Sequence, residues 1–431
     1  MKRRKPSDRI AIIGAGPAGL SAAMYLKEAG YTSVVVFEKS DQIGGKCHSL
    51  AYRGSQYDMG ANLTTPRYDL IRGLGQELGL HLREIAPRRV VNLSDETFPS
   101  LTDADYLTSM LLRGGVSYYV AARALTGIDT PGFKGLGAPV QQSFGAWLNA
   151  HGLERFREVF ANVFIAYGYG LMDELPAAYA MKFFDRIHTF LAVDLILGRD
   201  IHATRDFAEG FQELWERLVV ARGLDVRRAS QVTEVRRDPR GVHLTWETEG
   251  QAHHADFDAL ILAMPLDKTP AFMDTSATEV RLFSQIETYT YYVTAAVLKG
   301  VPQTTTYVLP YSQRYEPGQP TAFYLPIPDD PNRVYLSYAY GGDGVSEADI
   351  HQNLQRALSH ERFPGTVEAI LTTQRWRYFP HVSAETMQAG FYEDLEALQG
   401  QWHTYYCGEL LSFPLVELVV DYSRTLVEEH F

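Results

Sequence analysis

An α/β fold built on a Rossmann-type domain is what the sequence predicts, and three observations carry it. "RIAIIGAG" (9–16) is a short β-branched run of the kind that forms a strand buried on both faces. "LSAAMYLKEAG" (20–30) follows, with alanines and leucines at helical spacing and Gly30 as its stop. A second apolar run, "TSVVVFEKS" (32–40), completes the unit, so that strand, helix and strand succeed one another at the start of the chain.

The turn inside this unit is Gly14-Ala15-Gly16-Pro17-Ala18-Gly19, a G-x-G-x-x-G. The first glycine permits a tight turn, the second lets the backbone approach a pyrophosphate, and the third lets helix and strand pack closely. Free N–H groups at the helix start then face the anion. Glu38, next to Lys39, closes the second strand 19 positions after Gly19, near the usual offset for an acid that binds ribose hydroxyls. A carboxylate there repels a 2′-phosphate, so a dinucleotide without one is favoured. The next stretch, "DQIGGKCHSLAYRGSQYDMGAN" (41–62), brings a second glycine pair, Gly44 and Gly45, then Lys46 to neutralise a phosphate. It ends in Gly60, Ala61 and Asn62, which the same pattern sets on the cofactor side. Nicotinamide dehydrogenases do not need this second element.

Bulk composition bounds the rest. A chain of 431 residues implies two or three domains or subdomains. Its formal net charge of -12 repels nucleic acid and gives no general attraction to anionic membranes. Two cysteines, Cys47 and Cys407, support neither a disulfide framework nor a zinc cluster, and a reducing, cytoplasmic setting fits best. "MKRRKPSDR" has the charge of a signal-peptide start, but Gly14, Gly16, Pro17 and Gly19 break the apolar run behind it, so no secretory leader is expected. No run of about 18 apolar residues occurs, so no stable membrane insertion is expected. The oligomeric state stays open.

The glycine turn, the acid and the following Gly-Gly with a basic residue resemble the flavin amine oxidase superfamily. Two later segments agree with that resemblance. "VRRASQVTEVRRDPRGVHLTWE" and "FDALILAMP" look like the family's second cofactor segment, in which Val232 presents backbone to adenine. "YYCGELLSFPLVELVVDYS" looks like its closing motif, with Gly408, an acid at Glu409, and a helix near Val419 aimed at the flavin ring. The resemblance implies a discontinuous FAD-binding domain at 1–84, 201–270 and 386–431. Between its parts, 85–200 reads mostly helical, as a cap over the substrate. Residues 271–385 carry β-branched and aromatic runs that read as a mixed-sheet substrate-binding domain.

One branch is resembled more closely. "IGGKCHS", "AYGYG", "LPAAYAMKF", "YFPHVSAE", "AGFYEDLEALQG" and "GELLSF" look like the bacterial polyunsaturated fatty acid double-bond isomerases, and they run nearly end to end. That resemblance implies noncovalent FAD, a long-chain unsaturated fatty acid as substrate, and a hydride that leaves an allylic carbon for flavin N5 and returns to another carbon. No side chain is then certain to be catalytic. In "APRRVVNLSDETF" the paired arginines match the branch's carboxylate anchor, at Arg89 in first place and Arg88 as the alternative. Tyr167, Phe190, Tyr378 and Phe379 are taken as substrate-binding, and Tyr169, Tyr179, Phe183 and Phe184 as further lining candidates. A phenylalanine that the branch sets near the carboxylate becomes Ala192 here, which leaves the substrate's length open. His48, His381 and Cys47 read as structural. Amine oxidases place a lysine near flavin N5, whereas this register offers Tyr292 and Val293, with Lys299 displaced. Two other functions remain open on sequence alone: an FAD-dependent oxidoreductase (amine oxidase or desaturase), or a non-catalytic flavin- and lipid-binding protein.

Overall fold

The computed structural model describes residues 4–96, 116–187 and 204–431, apart from 124, 126, 129, 155 and 156. Its first sheet has five parallel strands in the order Thr404–Tyr406, Ala259–Leu262, Arg9–Ile13, Ser33–Phe37, Asp225–Arg227. Ile10 to Ile12 and Ala259 to Leu262 have no exposed surface, as expected for central strands covered on both faces. The helix Pro17–Glu28 follows the first strand, and its small buried residues let the C-terminal helix Val416–His430 lie close. The Ser423 hydroxyl donates to the Ala18 carbonyl at 3.2 Å across that contact.

The fifth strand returns to the second through three antiparallel strands, Ser230–Asp238, Gly241–Thr248 and Gln251–Phe257. A buried charge network locks this small sheet to its neighbours. Arg237 holds Glu279 at 2.6 and 2.9 Å, and Tyr406 donates to the same carboxylate at 2.5 Å. Breaking such a pair leaves an uncompensated buried charge, which costs about 3–5 kcal/mol.

The second large sheet has six strands in the order Thr366–His381, Glu287–Lys299, Val334–Tyr340, Pro320–Tyr324, Thr305–Leu309, Arg88–Asn92. All its pairs are antiparallel except the last, so the sheet is mixed. Arg88–Asn92 is a strand within a stretch that reads mostly helical. Helices Val116–Arg123, Phe144–Ala150, Arg157–Ala166 and Ala177–Ile187 make up most of the rest of that stretch among the described residues. Among the described residues, no helix is long and apolar enough to cross a membrane.

Candidate active site

Backbone makes the first half of the site. Gly14 has φ +107°, and a Cβ there would lie 2.5 Å from the Ala263 carbonyl oxygen. Gly16 caps the helix that Pro17 and Ala18 begin. A Cβ on Gly45 would sit 3.1 Å from the Gly16 Cα, so the two glycine turns meet backbone to backbone. A Cβ on Gly19 would strike the Gly14 oxygen, and one on Gly60 the Lys46 oxygen. Ala61 donates its N–H to that same Lys46 oxygen at 3.0 Å. Residues 60–62 therefore hug the second glycine turn. Trp376 fastens them to the large sheet by donating to the Met59 carbonyl at 2.7 Å, and Asn62 donates to the Tyr338 hydroxyl at 2.5 Å.

At the outer end, Glu38 accepts from the N–H groups of Ala15 and Ser40, both at 2.9 Å. Lys39 beside it is exposed. The strand carrying buried Val232 starts there, with the Ser230 N–H on the Glu38 carbonyl at 2.8 Å. At the inner end, Gly408 (φ +119°) precedes Glu409, and its Cβ would lie 3.9 Å from that of Ala18. Val419 is buried in the first turn of the C-terminal helix. Lys46, expected on a phosphate, forms an ion pair with Glu409, and its Nζ lies 5.6 Å from the centre of the Tyr378 ring. These contacts link the two glycine turns to each other, Gly60 and Ala61 to Lys46, and Lys46 to Glu409. A dinucleotide fits at Gly16, where an added Cβ would meet only the Gly45 Cα, at 3.7 Å, so the backbone is open to a phosphate.

Side chains make the second half. From Lys46 a ladder of nearly parallel tyrosines crosses the large sheet. Tyr378 lies 5.5 Å from Tyr291, Tyr291 lies 5.9 Å from Tyr338, and Tyr338 lies 6.2 Å from Tyr324, each pair within 25° of parallel. The ladder ends at a narrow pocket of about 180 Å³ lined by Tyr167, Thr305, Tyr307, Tyr324 and Tyr338, with Ala166 and Ala322 between them. Burial raises Tyr307, Tyr324 and Tyr338 well above the usual phenol range, so all three stay protonated. The hydroxyls of Tyr167 and Tyr307 face each other at 3.5 Å.

Strand register decides which arginine faces this pocket. Arg88 pairs with Thr305 and Arg89 with Thr306, and neighbours along a strand point to opposite faces. Arg88 shares the Thr305 face, and no hydrogen bond or ion pair holds its guanidinium among the described residues. Arg88 keeps much of its surface exposed to solvent, although many protein atoms crowd around its charged end. Burial is the largest influence on the guanidinium and acts to lower it, but Tyr307, Tyr167 and Tyr324 together raise it, so it stays charged. Arg89, the first choice on sequence, turns to the other core, 5.5 Å from the centre of the Phe363 ring, with its Nε buried and unpartnered.

Other positions read from sequence fall as follows. Tyr378 donates to the Tyr169 hydroxyl at 3.1 Å and stands on the ladder. Phe379 is fully buried behind it, stacked on His381 at 4.8 Å. Tyr179, Phe183 and Phe184 are buried in the same aromatic core. Phe190 and Ala192 lie outside the described residues. His381 bonds the Phe379 carbonyl at 2.8 Å, and burial lowers its pKa. His48 packs edge-on against Trp376 at 6.4 Å. Burial pushes the Cys47 thiol upward, away from nucleophilic use. Lys299 ends its strand in solvent, 3.7 Å from Glu368, while Tyr292 and Val293 lie buried in mid-strand. The ladder residues Tyr291 and Tyr338, and the pocket residues Thr305, Tyr307 and Tyr324, were not singled out by sequence. The alternation in "TTTYVLP" is the one local signal that could have found two of them.

Parallel sheet and glycine cradle define a dinucleotide-binding protein, with a mixed sheet that carries a second, aromatic site. The family model of flavin containing amine oxidoreductases matches residues 17–400, and the chain belongs to that family of flavin-dependent enzymes. The chain is similar to the CLA-producing fatty acid isomerase from P. acnes, at 30% identity and TM-score 0.88 over 99% of this chain and 100% of that one. Putrescine oxidase bound to putrescine shares the fold at TM-score 0.73 and 17% identity, over 98% of each chain. A polyenoic fatty acid isomerase of Ptilota filicina is 35% identical over 78 residues, which span 18% of this chain and 16% of that protein. Polyamine oxidase 1 of Zea mays is 43% identical over 54 residues, 12% of this chain and 11% of that protein.

Proposed function

We propose that the protein is an isomerase that moves a double bond in a polyunsaturated free fatty acid, using noncovalently bound FAD. The observation that carries this reading is Arg88, an unpaired cation set in register with a residue of the narrow tyrosine-lined pocket, at the far end of an aromatic ladder that begins at the glycine cradle. Likeness to the P. acnes isomerase along the whole chain supports it.

In this reading the turn from Gly14 to Gly19 and Gly45 would hold the pyrophosphate, Glu38 the ribose, and the backbone near Val232 the adenine. Gly60, Ala61, Asn62, Gly408, Glu409 and the helix at Val419 would enclose the inner half. FAD, when bound, supplies a two-electron acceptor that can take a hydride and return it. Arg88 binds the carboxylate through a planar fork of donors that matches its two oxygens. Tyr378, Tyr291 and Tyr338 give the hydrocarbon an apolar wall and exclude water from it. No described side chain is needed as a base, which agrees with the buried, structural settings of His381 and Cys47.

The test offers the purified holoprotein free linoleate on one side and putrescine on the other. Conjugated diene from linoleate, with no hydrogen peroxide from putrescine, is the expected result. Peroxide from putrescine without any diene would replace this reading by amine oxidation.

A further inference from the structure

We propose that Tyr324 is a second carboxylate-binding residue, and that its hydroxyl makes the pocket select an acid over its ester. This rests on the assignment of Arg88 as the anchor. The Tyr324 side chain is 1% exposed, and its hydroxyl is buried with no hydrogen-bond partner. A buried donor left unmade is costly, so native proteins seldom keep one without a use.

The fold does not supply that use. The Tyr324 ring stacks on Tyr338 at 6.2 Å, a contact that phenylalanine would keep. The Tyr338 hydroxyl oxygen accepts from Asn62, and the hydroxyls of Tyr167 and Tyr307 face each other at the limit of a hydrogen bond. Tyr324 alone among the pocket's phenols is without any partner, and its ring lines the pocket. What it awaits is an acceptor inside that space.

Charge and size identify the acceptor. Arg88 pairs with the pocket residue Thr305 and shares its face of the sheet, and its guanidinium has no hydrogen bond or ion pair among the described residues, so the acceptor favoured there is an anion. The pocket is narrow, its space of about 180 Å³ including solvent at its mouth, so a whole long-chain ligand does not lie in it and only an end group approaches the phenols. A carboxylate has lone pairs for a guanidinium fork and for a phenol donor besides. An ester offers weaker acceptors and no charge, and an ammonium would be repelled by Arg88.

The experiment titrates flavin-loaded native protein, Tyr324→Phe and Arg88→Ala with oleate and with methyl oleate, by calorimetry below the micelle threshold. Tyr324→Phe should weaken oleate binding by about tenfold or more, as for a hydrogen bond to a charged group. It should leave methyl oleate binding, flavin content and the thermal midpoint unchanged, or raise the midpoint, because an unmade donor is removed. Native affinity for oleate in Tyr324→Phe, with a loss in Arg88→Ala, overturns the role of Tyr324 alone. Native affinity in both variants overturns the anchor as well. Equal losses for acid and ester with a lowered midpoint would make the hydroxyl structural and also overturn the proposal.

Discussion

The glycine cradle and the tyrosine pocket are built in opposite ways. The cradle is backbone against backbone: Gly16 meets Gly45, and Gly60 meets Lys46, where side chains would have to overlap main chain. The pocket is side chains from three strands and one helix end, among them an unpartnered hydroxyl, with the unpaired Arg88 on the adjoining strand. A cradle of this kind tolerates almost no change but admits one kind of ligand. A pocket of this kind can be changed residue by residue, and each change alters what it prefers. Fold and cofactor site therefore belong to the first region and, in the proposed reaction, substrate choice to the second.

The sharpest break is at the cradle. Gly60→Val puts a branched side chain where a single Cβ already lies 1.8 Å from the Lys46 oxygen. Loss of most bound flavin, or of soluble protein, is expected, a penalty on the order of 4 kcal/mol or more. Flavin absorbance per protein after purification reads it. Arg88→Ala should spare the flavin and lower kcat/KM for free linoleate by about ten- to a hundredfold, the worth of about 1.5–3 kcal/mol for a charged hydrogen bond. Methyl linoleate should be a poor substrate of the native protein and lose little more. Arg89→Ala should instead lower the thermal midpoint and keep the acid-to-ester ratio, because Arg89 packs against Phe363.

Asp58 stands behind both regions and gives a pH test. Burial pushes it up to about 7, against the hydrogen bonds from Ser49 and the Phe211 N–H. The folded value exceeds the unfolded one of about 3.9, so the fold favours the neutral acid. Stability from this group is full below about pH 4, is lost as pH rises through about 7, and stays level above that. Asp206, pushed up to about 6 by burial, adds a slope of the same sign, while its partner Arg83 opposes it. Asp58→Asn should flatten the fall in thermal midpoint between pH 4 and 7 without abolishing it. An unchanged profile would mean that Asp58 is not the group titrating there. Least affected should be Lys299→Ala: its ammonium is exposed and pairs loosely with Glu368, so activity should hold and stability should move by less than about 0.5 kcal/mol.

What the sequence made legible follows the same division. Glycines at fixed local spacing state a backbone need, so Gly14 to Gly19, Gly45 and Gly60 could be read directly. Lys46 could be placed beside the glycine turns, but not its pairing with Glu409, which lies at the other end of the chain. The strand Arg88–Asn92 pairs in parallel with Thr305–Leu309, a distant partner that no local pattern announces. A shift of one residue in that register exchanges Arg88 for Arg89, which is why the motif gave the pair but could not say which of the two shares the Thr305 face. Tyr378 and Phe379 show the same effect, one on the ladder and one in the core behind it. Tyr324 carried no signal, since an unpartnered hydroxyl exists only once its surroundings are folded.

In the proposed reaction the flavin is used without net oxidation. The most direct measurement follows conjugated-diene absorbance and dissolved oxygen in one aerobic cuvette of holoprotein and free linoleate. Diene is expected to accumulate over many turnovers while oxygen stays constant. Oxygen consumed one for one with product, with hydrogen peroxide released, would contradict it and make the protein an oxidase.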